Sequence, residues 1–557
     1  MSNLCSNIIV FLLTYPKFIG NMPLASKSKF QPARQHPGES MRPNNILFVT
    51  ADQWRGDCLS ILGHPTVKTP NLDTLAGEGV LFRNHFAQCI PCGPSRASIY
   101  TGTYQNHHRV IENGVPLDAR LTNIALEFKK LGYDPALAGY TDTAPDPRQY
   151  APDDDRLKGN IRILPGFDTF LGMSSEHVPG YWAQWLKERG YELPENLRDL
   201  YYESVVGYPG AEKRGKTFAP APYSKEESDT AFLTDRAEVF IRESSHKPWF
   251  LHLSYFRPHR PYLAAEPYNR LYDPETVPPF KRAVTVKEEA RQHPFLAYLL
   301  EQGAKNGSYT ETIFPRDEKS MQQLRATYYG LMTEVDDHIG KIIKLLKDTG
   351  QYKNTLIVFL SDHGAQLGDH HLMMPEGYFD QSFHIPLIIR LPDSYPHRCS
   401  GISIDEFTEN VDLLPTLMDL FESPIPRQCA GRSLLPFMTG RPADGWRTEV
   451  HWEGDFRYLD AAEGYDAPDQ ALGIDRKDCV FGVIRDTRYK YVHFAALPPL
   501  FFDLQNDPDE LQDLSGYPEY SGLLLEYAGK MLSWRMTSNE KSLTHLMVDL
   551  KGVVELE

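Results

Sequence analysis

The segment Cys92-Gly93-Pro94-Ser95-Arg96, followed by Thr101 and Gly102, places a thiol close in sequence to a permanently charged guanidinium. Asp52-Gln53 and Asp362-His363 add carboxylate oxygens and an imidazole, a set that suits a divalent cation such as Mn2+, Ca2+ or Mg2+. Taken singly, Asp52, Asp362 and His363 read as turn formers at strand ends. Taken together beside Cys92 they read as a ligand set, with Gln53 as a further ligand or a group behind the ligands. Cys89-Ile90-Pro91-Cys92 is also a Cys-x-x-Cys, the pattern of a redox pair or half of a zinc site. No second pair accompanies it, and a redox role leaves Pro94, Arg96, Thr101 and Gly102 without a purpose.

These residues need elements to hold them. Asn45 to Thr50 is a short apolar run that stops at Asp52 and Gln53, the pattern of a buried strand with polar groups at its carboxyl end. The pattern recurs: Pro135 to Gly139 before Tyr140, Thr141 and Asp142; Trp249 to Leu253 before Tyr255, Arg257 and His259; Thr355 to Leu360 before Ser361, Asp362 and His363. Helical spacing separates them, over Ala231 to Ile241 and over Leu324 to Leu346, where Tyr328, Leu331, Val335, Ile339, Ile342 and Leu346 share a face before Gly350. Alternating strands and helices predict an α/β fold with a mostly parallel central sheet flanked by helices, whose ligands lie beyond the strands' carboxyl ends. The four polar clusters therefore converge on one site. After about Pro436 short strand-like runs (Cys479 to Ile484, Tyr489 to Phe494) and a helical stretch near Leu523 to Trp534 predict a smaller α+β unit. The division is a leader at 1–44, disordered or preceding the true start at Met41, an α/β catalytic domain at 45–436 and a C-terminal α+β subdomain at 437–557. Tyr208 to Tyr223 and Asn306 to Pro315 read as long loops. His370, His371 and His384 read as ordinary core or surface histidines, and Asp336-Asp337 as a solvated or capping pair.

Composition bounds the class. With 557 residues, 41% hydrophobic and 24% charged, the chain has ample material for a core, and its net charge of −16 opposes general nucleic-acid binding. An anionic substrate therefore needs locally placed positive charge. Seven scattered cysteines make a disulfide framework improbable and favour a reducing, cytoplasmic setting. Ile8 to Leu13 is far shorter than the ~20 residues of a spanning helix and has no basic residue before it, so no membrane anchor is expected.

With these residues in place the chain resembles the sulfatase family of the alkaline phosphatase superfamily, whose signature cysteine is oxidised to formylglycine by an enzyme that reads Cys-x-Pro-x-Arg. Asn45 to Gln53, Asn113 to Asp118, Gly139 to Arg148 and Lys490 to Leu504 are similar to the phosphonate monoester hydrolases, also called phosphodiesterases, of that superfamily. Arylsulfatases carry Lys and His where this chain has Tyr140 and Asp142. The resemblance spans nearly everything after residue 44. It implies an alkaline-phosphatase-like fold and one divalent metal, Mn2+ ahead of Ca2+ or Mg2+, held by Asp52, Asp362, His363, the formylglycine from Cys92, and Gln53. It also implies His259 as general acid, Arg96 orienting the nucleophile, and Asn113 and Tyr140 donating hydrogen bonds to a small anionic ester. The implied reaction is hydrolysis of phosphonate monoesters and phosphodiesters, with promiscuity toward sulfate esters. A sulfatase proper and a non-catalytic relative that keeps fold and metal are the alternatives. The implied partners are the formylglycine-generating enzyme and further copies of the chain, a homotetramer to which the apolar stretch Leu543 to Leu550 would contribute.

Two positions depart from the family. Where relatives carry Gly-Lys in the loop after His371, this chain has Met374-Pro375, losing a charge worth about 2–4 kcal/mol to a developing anion unless Arg257 or Arg260 replaces it. Where the hydrolases offer threonine, this chain has Asp142, whose charge disfavours dianions more than monoanions.

Overall fold

The computed structural model describes residues 43–158, 163–172, 180–305, 317–459, 464–540, 543–550 and 552–556. Residues 1–42 of the expected leader, including Ile8 to Leu13, and the expected loop around 306–315 lie outside them.

Strand β1 (Asn45–Ala51) is buried at every position. Its side chains alternate between two faces, so an unbroken apolar run is stable only where both are covered. The other strands of its sheet are β2 (Val80–Phe86), β3 (Pro135–Gly139), β4 (Asp168–Gly172), β5 (Trp249–Tyr255), β6 (Thr355–Leu360), β7 (His384–Arg390) and β8 (Ile402–Glu409), in the order β4-β3-β5-β1-β6-β7-β2-β8. β1 pairs in parallel with β5 and β6, β5 with β3, and β3 with β4. β7 runs antiparallel to its neighbours β6 and β2, and β8 lies parallel to β2, so β7 alone opposes the common direction. β3, β5, β1 and β6, whose ends carry the candidate residues, are consecutive in this order. The convergence predicted from the sequence follows directly.

Both faces are covered. On one, Leu47 and Val49 of β1 and Leu251 and Leu253 of β5 pack with Leu331, Val335 and Ile339 of the long helix. On the other, Ile46, Phe48 and Val358 pack with Ala97, Ile99 and Leu414. Among the helices, α1 is Pro70–Glu78, α2 Cys92–Thr101, α3 Asp229–Glu243, α4 Glu318–Asp348 and α5 Leu413–Leu420. α3 and α4 extend beyond the apolar spacing because capping side chains begin them: Ser228 Oγ accepts from Ala231 N, and Asp317 from Ser320 N. For Asp336 the capping alternative holds rather than the solvated one: it is buried and its carboxylate accepts from Asn71 N and Leu72 N, capping α1 from across the interface.

A second, antiparallel sheet has the order β12-β11-β10-β9, formed by β9 (Glu449–Asp455), β10 (Val480–Asp486), β11 (Tyr489–Phe494) and β12 (Leu500–Asp503). Helix α6 (Ser521–Thr537) packs Tyr527, Met531 and Trp534 against it. Both sheets belong to one compact unit. The chain ends in a hairpin, β13 (Leu546–Asp549) with β14 (Gly552–Glu555), on which Val548, Leu550 and Val553 are exposed. Among the described residues no helix is long and apolar enough to cross a membrane.

Candidate active site

Helix α2 begins at Cys92, so the thiol stands on a first turn, where the unpaired N–H groups and the helix dipole present partial positive charge. Pro94 costs nothing there, since no intrahelical bond is due from its nitrogen. The turn is tightly enclosed: a Cβ on Gly93 would lie 2.9 Å from the carbonyl oxygen of Asp142 and 3.0 Å from Asn113 Oδ1. Gly102 ends the helix in the left-handed region, at φ 67°, against the sulfur of Cys429. All ten residues of α2 are buried.

Around Cys92 gather the residues at the ends of β1 and β6. Its Sγ lies 3.2 Å from His363 Nε2 and 3.9 Å from Asp52 Oδ1. One ligand atom from each of Asp52, Cys92, Asp362 and His363 falls within 4.8 Å of all the others. His363 Nδ1 faces the carbonyl of Gly364 at 2.9 Å; a carbonyl only accepts, so Nδ1 carries the proton and Nε2 turns a lone pair to the cluster. Asp362 accepts from Gln53 N at 3.2 Å, His363 N at 2.9 Å and Arg96 Nε at 2.8 Å. Burial pushes its carboxyl up, but the charge and hydrogen bond of Arg96, with the Gln53 N–H, outweigh burial and hold it below the usual range. Asp52 goes the other way, raised first by burial and then by the charge of Asp362. Burial, Asp52 and Asp362 together push the Cys92 thiol well up, so as a bare cysteine it is a poor thiolate.

The residues fit a divalent cation. The donors are two carboxylates, a lone-pair imidazole nitrogen and the Cys92 position, and beside them Gln53 Oε1 is buried without a partner while Gln53 Nε2 donates to Tyr262 Oη at 2.7 Å. Gln53 also holds a left-handed backbone, φ 66°, unusual for a non-glycine residue and fixed by Tyr328, whose hydroxyl donates to its carbonyl at 2.7 Å.

Arg96 is fully committed. Its five N–H donors go to Asp362, to the Tyr140 carbonyl at 3.1 Å, to Ser254 Oγ at 2.8 Å, to Asp52 at 3.4 Å and to the Tyr140 hydroxyl at 3.0 Å. It therefore holds the carboxylates rather than reaching out to an ester. The hydroxyl of Tyr140, expected to donate to an ester, here donates its one proton to Asp52. Asn113 spends its carbonyl on Gly93 N at 2.7 Å, which leaves Nδ2–H2 as its donor. His259 lies in the loop after β5 with Nδ1 2.6 Å from the Arg260 carbonyl, which can only accept, so Nδ1 donates to it and Nε2 is the other ring nitrogen. Its ring stands edge-on to Phe256, 5.4 Å between centroids, and Phe256 packs on Tyr140 at 5.1 Å.

Arg257 does not replace the missing lysine: it is buried and pairs with Asp229 at 3.3 Å. Met374 is buried in the core beneath the loop. Cys89 and Cys92 are both free thiols, and Cys89 is buried with its sulfur 3.5 Å from Ser98 Oγ and its thiol pushed up to about 12 by burial, which argues against a redox pair. His370 is a core histidine, 2.7 Å from Glu289 and stacked on Phe379, while His371 and His384 spend their Nε2 atoms on the carbonyls of Ala283 and Arg83. The sequence reading missed Ser254, Tyr262 and Tyr328. Only Tyr328 carried a signal, a tyrosine on an apolar helix face whose hydroxyl must find a partner.

The Sulfatase family model matches residues 44–423, and the model of the C-terminal part of N-sulphoglucosamine sulphohydrolase matches residues 368–537. The multifunctional alkaline phosphatase superfamily protein PehA of Trinickia caryophylli is 43% identical over 528 residues, covering 92% of this chain and 99% of its own. The crystal structure of the phosphonate monoester hydrolase of Agrobacterium radiobacter superposes with a TM-score of 0.85 at 41% identity, covering 93% of this chain and 100% of its own. The phosphonate monoester hydrolase from Silicibacter pomeroyi gives 0.83 at 38% identity, covering 92% and 99%.

Proposed function

The chain belongs to the sulfatase family and is an ester hydrolase of its phosphonate monoester hydrolase branch, and from that membership we propose that it is a metal-dependent hydrolase of phosphonate monoesters and phosphodiesters whose nucleophile derives from Cys92. The observation that carries this reading is the gathering of Asp52, Cys92, Asp362 and His363 at the first turn of α2, beside the unpartnered oxygen of Gln53. Oxidised to formylglycine and hydrated, Cys92 supplies a hydroxyl nucleophile and, afterwards, an aldehyde that releases the product. A divalent cation on Asp52, Asp362, His363 and Gln53, Mn2+ ahead of Ca2+ or Mg2+, supplies Lewis acidity toward the transferred group.

The remaining residues have separable tasks. Arg96 keeps two buried carboxylates close enough to act as one ligand pair, and Tyr140 fixes the orientation of Asp52. Asn113 offers Nδ2–H2 to a non-bridging oxygen, and His259 delivers a proton from Nε2 to the leaving oxygen. Arg96 and Arg257 are both committed to carboxylates, and the charge of Asp142 acts on Cys92, which favours esters carrying one charge, sulfate monoesters among them. The exposed apolar residues Val548, Leu550 and Val553 support assembly through the terminal hairpin into a homo-oligomer.

The test is mass spectrometry of the tryptic peptide containing Cys92 from protein made in its native host, paired with hydrolysis of p-nitrophenyl phenylphosphonate before and after chelation. A peptide lighter by the thiol-to-aldehyde change and activity restored by a divalent cation are expected. Unmodified cysteine in an active enzyme, or activity indifferent to chelation, overturns the reading.

A further inference from the structure

We propose that Asp229 and Arg257 form a positioning pair for His259, aiming its Nε2 at the leaving oxygen. The inference rests on the reading of His259 as general acid.

The loop after β5 carries its polar backbone inward, and each of three successive carbonyls has an assigned donor. Arg257 Nη1 donates to the His259 carbonyl at 3.3 Å and to the Pro261 carbonyl at 2.6 Å. Between them the Arg260 carbonyl takes the proton of His259 Nδ1 at 2.6 Å. One guanidinium therefore holds both carbonyls that flank the one orienting the imidazole, sharing the Pro261 carbonyl with Leu263 N at 2.8 Å. Loosening it leaves the His259 carbonyl without this donor and relaxes the stretch that carries the Arg260 carbonyl, the contact that sets the ring's tilt and tautomer.

The guanidinium is itself over-determined. It is buried, its Nε faces Asp229 at 3.3 Å on the first turn of α3, its Nη2 faces the Tyr223 hydroxyl at 3.4 Å, and its plane lies over Tyr201 at 4.6 Å. A carboxylate fixed on a regular helix thus anchors a loop residue, by a planar fork that lysine cannot reproduce. Neither Asp229 nor Arg257 belongs to the ligand group. Their effect on turnover passes through His259: as the bond from phosphorus to the leaving oxygen breaks, its electron pair goes to that oxygen, which takes the proton of Nε2.

Protonation matters in proportion to the basicity of the leaving group, so the test is a pair of phenylphosphonate esters with p-nitrophenol and phenol as leaving groups. Asp229→Asn is expected to lower kcat/KM for the phenyl ester about ten-fold more than for the p-nitrophenyl ester, with Asp229→Glu recovering part of the loss. Arg257→Lys, which keeps the charge opposite Asp229 but not the fork, is expected to open the same gap and covers the case in which Asp229→Asn folds poorly. Equal losses on both esters, or none, overturn the proposal by reducing the pair to a structural tie. His259→Asn separates the two readings. If it too affects both esters equally, the general-acid reading fails; if it opens the gap and neither partner variant does, only the positioning pair fails.

Discussion

Two buried charged clusters in this molecule are built on opposite principles. Beneath the second sheet, Lys490 is fully buried, its ammonium held by Asp380 at 2.9 Å and by Glu510, while Arg485 reaches Asp380 at 3.2 Å. Two cations meet two carboxylates, and Lys490 lies over the Trp452 ring. Burial raises the Asp380 carboxyl, but Lys490 and Arg485 more than compensate and hold it far below the usual range. At the end of β1 and β6, two carboxylates meet a single guanidinium, the imidazole points its lone pair inward, and an amide oxygen lies unpartnered. A cluster that supplies its own counter-charges is a structural clamp. One that withholds them has the donors to hold a cation from outside.

The strongest way to break this comparison is to unbalance the clamp. Lys490→Met leaves Asp380 and Glu510 buried without their ammonium and is expected to cost about 3–5 kcal/mol of folding stability by urea denaturation, with kcat/KM per folded molecule unchanged. A loss under about 1 kcal/mol would mean that balance is not what stabilises the clamp.

A third cluster sharpens the point. Asp229 pairs with Arg257, and Glu334 lies within reach of both charges without an ion pair of its own among the described residues, again with an excess of carboxylate but without imidazole or thiol; here a proton settles the excess, since burial first, then the charge of Asp229, raise Glu334 to about 7 against a hydrogen bond from Ser228 and the pull of Arg257 and Lys341. The folded value lies above the unfolded one, so the protonated form stabilises the fold below about 4.5 and that contribution is lost as pH rises through about 7. Glu334→Gln is therefore expected to be more stable than the parent by up to about 3 kcal/mol at pH 8 and nearly equal near pH 4.5, read from thermal or urea melts across pH. A stability difference that does not change with pH would refute it.

The smallest effect concerns the site's own sign of charge. Asp142 helps push up the Cys92 thiol and its backbone closes over Gly93. Asp142→Thr is expected to raise efficiency on a phosphate monoester, relative to the matched diester, by roughly ten-fold, about 1.4 kcal/mol. An unchanged ratio would remove Asp142 from the account of selectivity.

How far the sequence carried this reading differs by element. β1, β3, β5 and β6 were legible because strands buried on both faces read as unbroken apolar runs with polar residues at one end. β2, β7 and β8 were not, since their strand character mixes with charges, as in the partly exposed β8, and nothing local reveals that β7 runs backwards. Asp52, Cys92, Asp362 and His363 were found by residue type, and the structure brings their ligand atoms together. The commitments of Arg96 and Tyr140 were not readable, because they depend on partners 44 to 266 positions away in the chain. Of the two readings open for Asp336, solvated or capping, the structure bears out capping, though the helix it caps is another one, which nothing local reveals.

The burial of α2 also imposes a schedule. An enzyme that oxidises Cys92 by reading Pro94 and Arg96 needs those side chains exposed, yet in the folded chain all three are covered, in part by Asp362 and His363, which emerge from the ribosome about 270 residues later. At about 5–20 residues per second, synthesis leaves on the order of 15–50 s before the far wall of the site exists to close. On the proposed conversion, Cys92 is most accessible during translation, and a variant that folds faster over its first half is expected to carry less converted cysteine.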